Sequence, residues 1–173
     1  VAGVHRDAAL PKFHKPALTE NTSPPPEINR HAPAYGRKAV LYATCFGNYN
    51  NPGIGLAARA VLARNGVETE FIHPRCCGMP QLEQGDISAV ADNAVVVAAE
   101  LGEWIAKDYD VITLVPSCAL MLKFEWPLIV PEDPAVIRLS KATSDIAQYI
   151  VDIAKNEGIA EGLSPLDGGV TIH

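Results

Sequence analysis

The sequence predicts an α/β fold in which a mostly parallel sheet lies between layers of helices. Three short apolar segments, at residues 38–46, 67–74 and 111–118, contain residues that favour strands, and a helical pattern follows each of them. Strands that alternate with helices form parallel sheets covered on both faces. The composition, 48% apolar and 20% charged over 173 residues, supports one packed core. We therefore expect a three-layer, Rossmann-like domain.

The first half of this domain is predicted to be strand, helix, strand. The first strand is "KAVLYATCF" (38–46), an apolar segment rich in strand formers. A helix follows, because Asn51 can cap it, Pro52 suits its first turn and Gly66 suits the position just past its end. The second strand is "VETEFIHP" (67–74), which alternates in polarity and ends at a proline.

The second half is predicted to contain one more strand and three helical segments. Residues 86–110 form a long, Ala-rich helix for which Asp86 is a plausible cap. Residues 111–118 form a buried strand, and 118–126 form a helix that a proline then ends or kinks. Residues 133–158 form one helix or two joined pieces, ending at a glycine.

The chain divides by composition into three parts. Residues 1–37 hold six prolines and are predicted to be an arm that runs over the surface, with three exposed histidines, His5, His14 and His31. Residues 38–160 form the cysteine-rich domain. Residues 161–173 are predicted to be a linker and, in "GGVTIH", the first strand of a missing second domain. We therefore expect the chain to be a piece of a longer protein.

Charge and hydropathy exclude several classes of function. The net charge of −6 argues against a nucleic-acid partner, since phosphate binding needs clustered Lys and Arg. No run of 18 apolar residues predicts a membrane span, and no apolar segment resembles a signal peptide. We expect a cytoplasmic protein. There, clustered cysteines favour metal binding or redox chemistry over structural disulfides.

The four cysteines of the chain are predicted to meet at one edge of the sheet. Cys45 ends the first strand, Cys76 and Cys77 follow the second, and Cys118 ends the third. Sites in parallel sheets gather beyond the carboxyl ends of the strands. Thiols gathered near helix N-termini ionise more easily, and thiolates bind zinc or iron–sulfur clusters.

Three alternatives to an iron–sulfur site remain open from the residues alone. Four thiolates also suit a zinc ion in a structural or interaction domain, although structural zinc sites usually take ligands in close C-x₂-C pairs. A thiol redox protein could use Cys76 or Cys77 as a nucleophile. Some of the cysteines could simply be small buried apolar residues.

Residues around the cysteines have predicted supporting roles. Gly78 would let the loop backbone approach a bulky cluster. Met121 lies three residues after Cys118 on the same helical face, as a packing thioether or a weak ligand. His73 and Arg75 flank the cysteine pair and either screen its negative charge or lie exposed. The "NPGIG" stretch (51–55) lacks the pattern of a nucleotide-binding loop.

The cysteine pattern resembles the cysteine-rich CCG domain family. That family includes the cysteine-rich component of heterodisulfide reductase, the iron–sulfur component of anaerobic glycerol-3-phosphate dehydrogenase, and the iron–sulfur components of glycolate and lactate oxidases. The resemblance covers residues 38–130, and "AGVHRDAALPKF" in the arm is similar to the segment that follows a ferredoxin-like domain in these proteins. It is closest to the first CCG domain of the glycerol-3-phosphate dehydrogenase component, through "CFGNYN" (45–50) and "KFEWP" (123–127).

The resemblance implies a function that the residues alone do not. It implies a [4Fe–4S] cluster held by Cys45, Cys76, Cys77 and Cys118, in an oxidoreductase component that relays electrons rather than in a complete enzyme. The implied partners are a flavin dehydrogenase, a second CCG domain and a ferredoxin domain of the same protein. A quinone acceptor would place the protein on the inner face of the membrane. The fragment alone could form a homodimer through apolar surface that the second domain would otherwise cover.

One position departs from the family pattern. The family's fuller motif ends in C-x-x-C, but Met121 occupies the second of those positions, in "CALM". Four thiolates then remain, which suits a cubane cluster but not the five-thiolate, noncubane cluster of heterodisulfide reductase. The departure therefore favours an electron relay or a structural half-site over cleavage of a disulfide.

Overall fold

The computed structural model describes residues 5–9, 11–164 and 167–169. Its sheet has four strands in the order β2-β1-β3-β4, and every neighbouring pair is parallel. The strands are β1 (Lys38–Tyr42), β2 (Glu68–Ile72), β3 (Asp110–Thr113) and β4 (Thr143–Asp145). Helices cover both faces of this sheet, so the predicted three-layer α/β architecture is confirmed.

Among the described residues, seven α-helices connect or cover the strands. They are α1 (Pro52–Arg64), α2 (Met79–Glu83), α3 (Ile87–Ile105), α4 (Pro116–Leu120), α5 (Trp126–Ile129), α6 (Pro134–Ala142) and α7 (Ile146–Asn156). A 3₁₀ turn occupies Leu18–Glu20, and π-helical turns occupy Phe46–Asn50 and Met121–Glu125. The Asp86 cap of α3 is present, since its side chain accepts a 3.1 Å hydrogen bond from the Ala89 amide.

Alternation along the strands sends side chains into two separate cores. Val40, Tyr42 and Val111 face the layer that contains α3 and α6. Their neighbours on the opposite face, such as Leu41 and Ile112, pack with α1 and α7. Both faces are apolar because both are covered, as is typical of a parallel sheet.

The fourth strand corrects the sequence prediction for residues 133–158. That segment was expected to be one helix or two joined pieces, but β4 separates α6 from α7 and pairs with β3. Two side chains explain the break. The Thr143 hydroxyl donates to the Leu139 carbonyl at the end of α6, and Asp145 caps α7 by accepting from the Gln148 amide. Three residues are too short to show an alternating pattern.

Two other expectations have a different outcome. The third strand ends at Thr113 rather than continuing to Cys118, because Pro116 starts α4. The strand expected within "GGVTIH" lies outside the described residues, apart from a turn at 167–168. In the described ranges, no helix is both long enough and apolar enough to cross a membrane.

The N-terminal arm lies along the domain. His5, His14 and His31 are exposed. Leu18, by contrast, is 1% exposed and packs in the core shared with α1 and α7. The arm is thus attached to the core through an apolar anchor within a largely exposed segment.

Candidate metal centre

The four cysteines lie at one edge of the sheet, in the segments that follow the first three strands. Cys45 follows β1 and precedes the π-helical turn Phe46–Asn50. Cys76 and Cys77 occupy the loop between β2 and α2, and Cys118 lies inside α4. Since the carboxyl ends of parallel strands share an edge, this topology brings distant parts of the chain together. That these residues bind a metal stays a prediction.

The thiols lie as close neighbours in a row. Cys45 contacts Cys76, Cys76 contacts Cys77, and Cys77 contacts Cys118. All four are free thiols, without a disulfide among them. Cys77 and Cys118 are 4% and 8% exposed, whereas Cys45 and Cys76 are half-buried. One end of the row therefore lies in the core and the other reaches towards solvent.

Mutual hydrogen bonding separates the pKa values of the thiols. The hydrogen bond from Cys45, with others from Cys77 and the Gly78 amide, holds the pKa of Cys76 well below its usual range. The same hydrogen bond, together with partial burial, raises the pKa of Cys45. Contact with Cys118 and Cys76, together with burial, raises the pKa of the Cys77 thiol. The hydrogen bond with Cys77 also lowers the pKa of Cys118. Cys76 is therefore the more exposed of two thiols whose pKa is lowered.

We expect Cys76 to be the first thiol alkylated by iodoacetamide at pH 6.5. A thiol of ordinary pKa is only about 1% thiolate there, and its rate falls about tenfold per pH unit. Because the Cys76 pKa is lowered, its rate should stay nearly constant from pH 8 to 6.5, while the Cys45 and Cys77 rates stay low throughout. Peptide mass spectrometry would measure the four rates. In a Cys45→Ala control, the largest of the interactions that lower the Cys76 pKa is lost, so the Cys76 rate should fall more steeply between pH 8 and 6.5 than in wild type. Equal slopes for all four wild-type thiols would contradict the assignment.

Backbone geometry fixes the loop that carries the adjacent cysteines. Gly78 has φ of +85°, a conformation that favours glycine, and its amide donates to the Cys76 sulfur at 3.5 Å. This supports the predicted role of Gly78 in turning the backbone close to the sulfurs. An amide directed at a cysteine sulfur can also stabilise a thiolate or a bound cluster.

Two buried aromatic side chains hold the same loop through its carbonyl groups. The Tyr42 hydroxyl donates to the Arg75 carbonyl at 2.6 Å, and the Trp126 indole donates to the Cys77 carbonyl at 3.0 Å. Both side chains are fully buried. The sequence did not identify them as part of the site, although Trp126 lies in the "KFEWP" stretch. An aromatic residue in an apolar segment is ordinarily a core residue, so the pattern alone could not reveal these bonds.

Met121 lies in the apolar core beneath the thiols. It is fully buried and belongs to the same cluster as Cys77, Cys118 and Trp126. Burial in contact with apolar side chains favours the packing role over the role of a weak ligand.

A Met121→Leu substitution should leave metal content unchanged. Leucine has nearly the same volume and should cost less than about 1.5 kcal/mol in the free energy of unfolding. Iron and sulfide analysis of the reconstituted protein, with urea unfolding, would check both expectations. Loss of iron at unchanged stability would instead identify the thioether as a ligand.

His73 and Arg75 differ in their surroundings. Arg75 is exposed. The His73 ring is half-buried, stacked on Tyr42 at a centroid distance of 6.1 Å and edge-on to Tyr49 at 5.4 Å. Burial lowers the pKa of His73, so it is neutral at pH 7, and its Nε2 is a buried atom without a hydrogen-bond partner within the described residues.

The donor set fits a group that binds soft thiolates. Four free thiols, an amide directed at a sulfur and an unpartnered histidine nitrogen gather in one place. As they stand, the thiols lie in a row, and among the described residues no three or more His, Cys, Asp or Glu side chains surround a point that could hold one ion. Thiolate donors of this kind bind both zinc and iron–sulfur clusters.

Comparison with known proteins agrees with this chemistry. Residues 39–123 match the family profile described as the cysteine-rich CCG domain. The chain is 31% identical over 143 residues to lactate utilization protein A of Bacillus pumilus strain SAFR-032, and 30% identical to its counterpart in Bacillus cereus strain G9842. Each alignment covers 79% of this chain and 56% of the relative, so the chain spans about half the length of these relatives. No solved structure matches the chain.

Proposed function

Because residues 39–123 belong to the cysteine-rich CCG domain family, we propose that this domain binds a [4Fe–4S] cluster and relays electrons as part of an oxidoreductase. The observation that carries the proposal is the convergence of four free thiols from three separate segments at one sheet edge. The proposed ligands are Cys45, Cys76, Cys77 and Cys118.

The charge balance of the thiol row supports a metal ligand set. Like charges at short range cannot all ionise, and the pKa values of Cys45 and Cys77 are raised accordingly. All four can become thiolates only if a cation compensates their charge, as iron does in a cluster. The row is therefore a site at which metal binding and thiol deprotonation are coupled.

The asymmetric burial of the row suits an electron relay. Cys77 and Cys118 lie in the core, while Cys45 and Cys76 lie nearer the surface. A cluster held by both pairs would be shielded on one side and reachable by a redox partner on the other. We propose a flavin dehydrogenase as the donor and a quinone or another carrier as the acceptor. The relatives are named for lactate utilization, and we propose the oxidation of lactate as the donor reaction.

An anaerobic reconstitution with iron and sulfide tests the proposal. We expect about four irons and four sulfides per chain, visible charge-transfer absorbance, and an electron paramagnetic resonance signal after dithionite reduction. Reoxidation should restore the first spectrum without loss of iron, because a relay must return its electron. If the chain instead bound one zinc ion tightly and formed no coloured species, the proposal of an iron–sulfur cluster would be wrong.

A thiol redox function is a second candidate, favoured by the low pKa of Cys76 beside the Cys45 thiol. Its signature would be a Cys45–Cys76 disulfide that forms and is reduced reversibly in place of cluster binding. Peptide mapping after mild oxidation would detect that disulfide. If the reconstituted protein keeps its iron and gives no such disulfide, this candidate is wrong.

A further inference from the structure

We propose that arm residues 12–20, called the strap below, hold the turn that carries Cys45, and that Asn48 and Thr19 are positioning residues for the metal centre. The part of the proposal that concerns metal binding rests on the function proposed above. The part that concerns the position of Cys45 does not, because it can be measured without metal.

A buried asparagine joins the strap to the turn. Asn48 follows Cys45 by three residues and is 1% exposed. Its Oδ1 accepts two hydrogen bonds from Thr19, one from the amide at 3.0 Å and one from the hydroxyl at 3.1 Å. A buried acceptor that loses its partners is costly, so the turn depends on the strap for a polar contact.

Two backbone contacts continue the attachment. The His14 amide donates to the Tyr49 carbonyl at 2.7 Å, and the Asn50 side chain donates to the Lys12 carbonyl at 3.0 Å. Three consecutive residues of the turn, 48–50, thus bond to the strap, in addition to the bonds within the turn. One of these joins the Asn48 amide to the carbonyl of Thr44, whose φ is +60°. The position of Cys45 is therefore set partly by a segment that lies at least 25 residues before it.

Leu18 anchors the strap against α1. A Cβ atom at Gly55 would collide with the Leu18 side chain, so glycine at this position makes room for the anchor. Leu18 is 1% exposed, and Glu20 closes the turn around it by accepting a 3.0 Å hydrogen bond from the Ala17 amide. This gives the second glycine of "NPGIG", Gly55, a packing role that is unrelated to nucleotide binding.

The first experiment compares two buried asparagines in the full chain. Asn48→Ala removes the acceptor for Thr19, whereas the control Asn65→Ala removes a similar acceptor, for the Ala160 amide, at the opposite edge of the sheet. Both should lower stability. Only Asn48→Ala should speed the alkylation of Cys45, about tenfold relative to wild type with no metal added, because the loss of two bonds frees the turn. Equal Cys45 alkylation rates in the two variants would contradict the proposal that the strap holds the Cys45 turn.

The second experiment opens the strap without changing its hydrogen-bonding residues. Gly55→Ala should displace Leu18, although alanine itself favours the helix. The control is Gly53→Ala in the same turn of α1, where the nearest contact of an added Cβ would be 3.3 Å from the Asn51 side chain. We expect faster Cys45 alkylation in Gly55→Ala alone. An unchanged rate in both variants would show that the anchor does not control the turn.

Metal binding then separates this proposal from the function on which it rests. In reconstituted protein, Asn48→Ala and Gly55→Ala should lose iron several-fold faster than their controls in the presence of a chelator. If Cys45 were alkylated faster in these two variants but the wild type bound no iron, the proposed role of the strap would be supported. The proposed cluster would be rejected. If all variants kept their iron and the alkylation rates were unchanged, the proposed role of the strap would be rejected. The proposed cluster would be supported.

Discussion

Replacement of Cys77 by serine should abolish iron–sulfur binding by this chain. Cys77 is the most central thiol, since it contacts both Cys76 and Cys118 and is only 4% exposed. A serine hydroxyl has nearly the same shape, but it is not deprotonated near pH 7 and is a hard ligand that does not replace a thiolate on iron. The fold should survive, because the substitution changes one atom.

The measurement is iron and sulfide content after anaerobic reconstitution, with circular dichroism to verify folding. We expect iron to fall at least about tenfold, since one of four thiolate ligands is lost. Met121→Leu is the matched control, because it removes a sulfur atom from the same core cluster without removing a thiolate. Full iron content in folded Cys77→Ser protein would mean that Cys77 is a buried core residue and not a ligand.

A Trp126→Phe substitution should destabilise the loop that carries the adjacent cysteines. The Trp126 indole donates to the Cys77 carbonyl at 3.0 Å, and the ring is fully buried. Phenylalanine leaves that carbonyl without its donor, which costs about 1–3 kcal/mol, and the smaller ring adds a cavity. Urea unfolding should show a lower midpoint, and the reconstituted cluster should be lost faster in air.

Trp104→Phe is the control, because the chain has only two tryptophans and Trp104 is half-buried at the far end of α3, packed on Tyr109. It should change stability less and leave cluster lifetime unaltered. It also leaves Trp126 as the sole tryptophan, and quenching of its fluorescence would report iron binding. If the two variants lost cluster at the same rate, the bond to Cys77 would have no positioning role.

Much of the site followed from the order of elements in the sequence. Each cysteine comes soon after an apolar strand, and parallel strands end at a common edge. The convergence of Cys45, Cys76, Cys77 and Cys118 could thus be predicted although up to 72 residues separate them. The glycine after the cysteine pair was equally readable, because a positive φ leaves a residue-type signature.

Other contacts left no signature in the sequence. β4 is three residues long and polar, so only pairing with β3 identifies it as a strand. The donors Tyr42 and Trp126 look like ordinary core residues, because their apolar rings account for their positions and their polar atoms do not. The arm looks like a proline-rich linker, because its core residues Leu18 and Ala34 are far apart in the sequence and show no periodicity.

The sequence by itself determined the fold class, the sheet edge at which the cysteines meet and the likeness of residues 39–123 to the cysteine-rich CCG domain, since these depend on local pattern and on the order of elements along the chain. The tertiary structure alone decided which thiols have a lowered pKa, which buried donors hold the cysteine loop and how the arm fastens the Cys45 turn. Each of these depends on atoms brought within hydrogen-bond distance by packing between distant segments, and a linear pattern does not encode such distances.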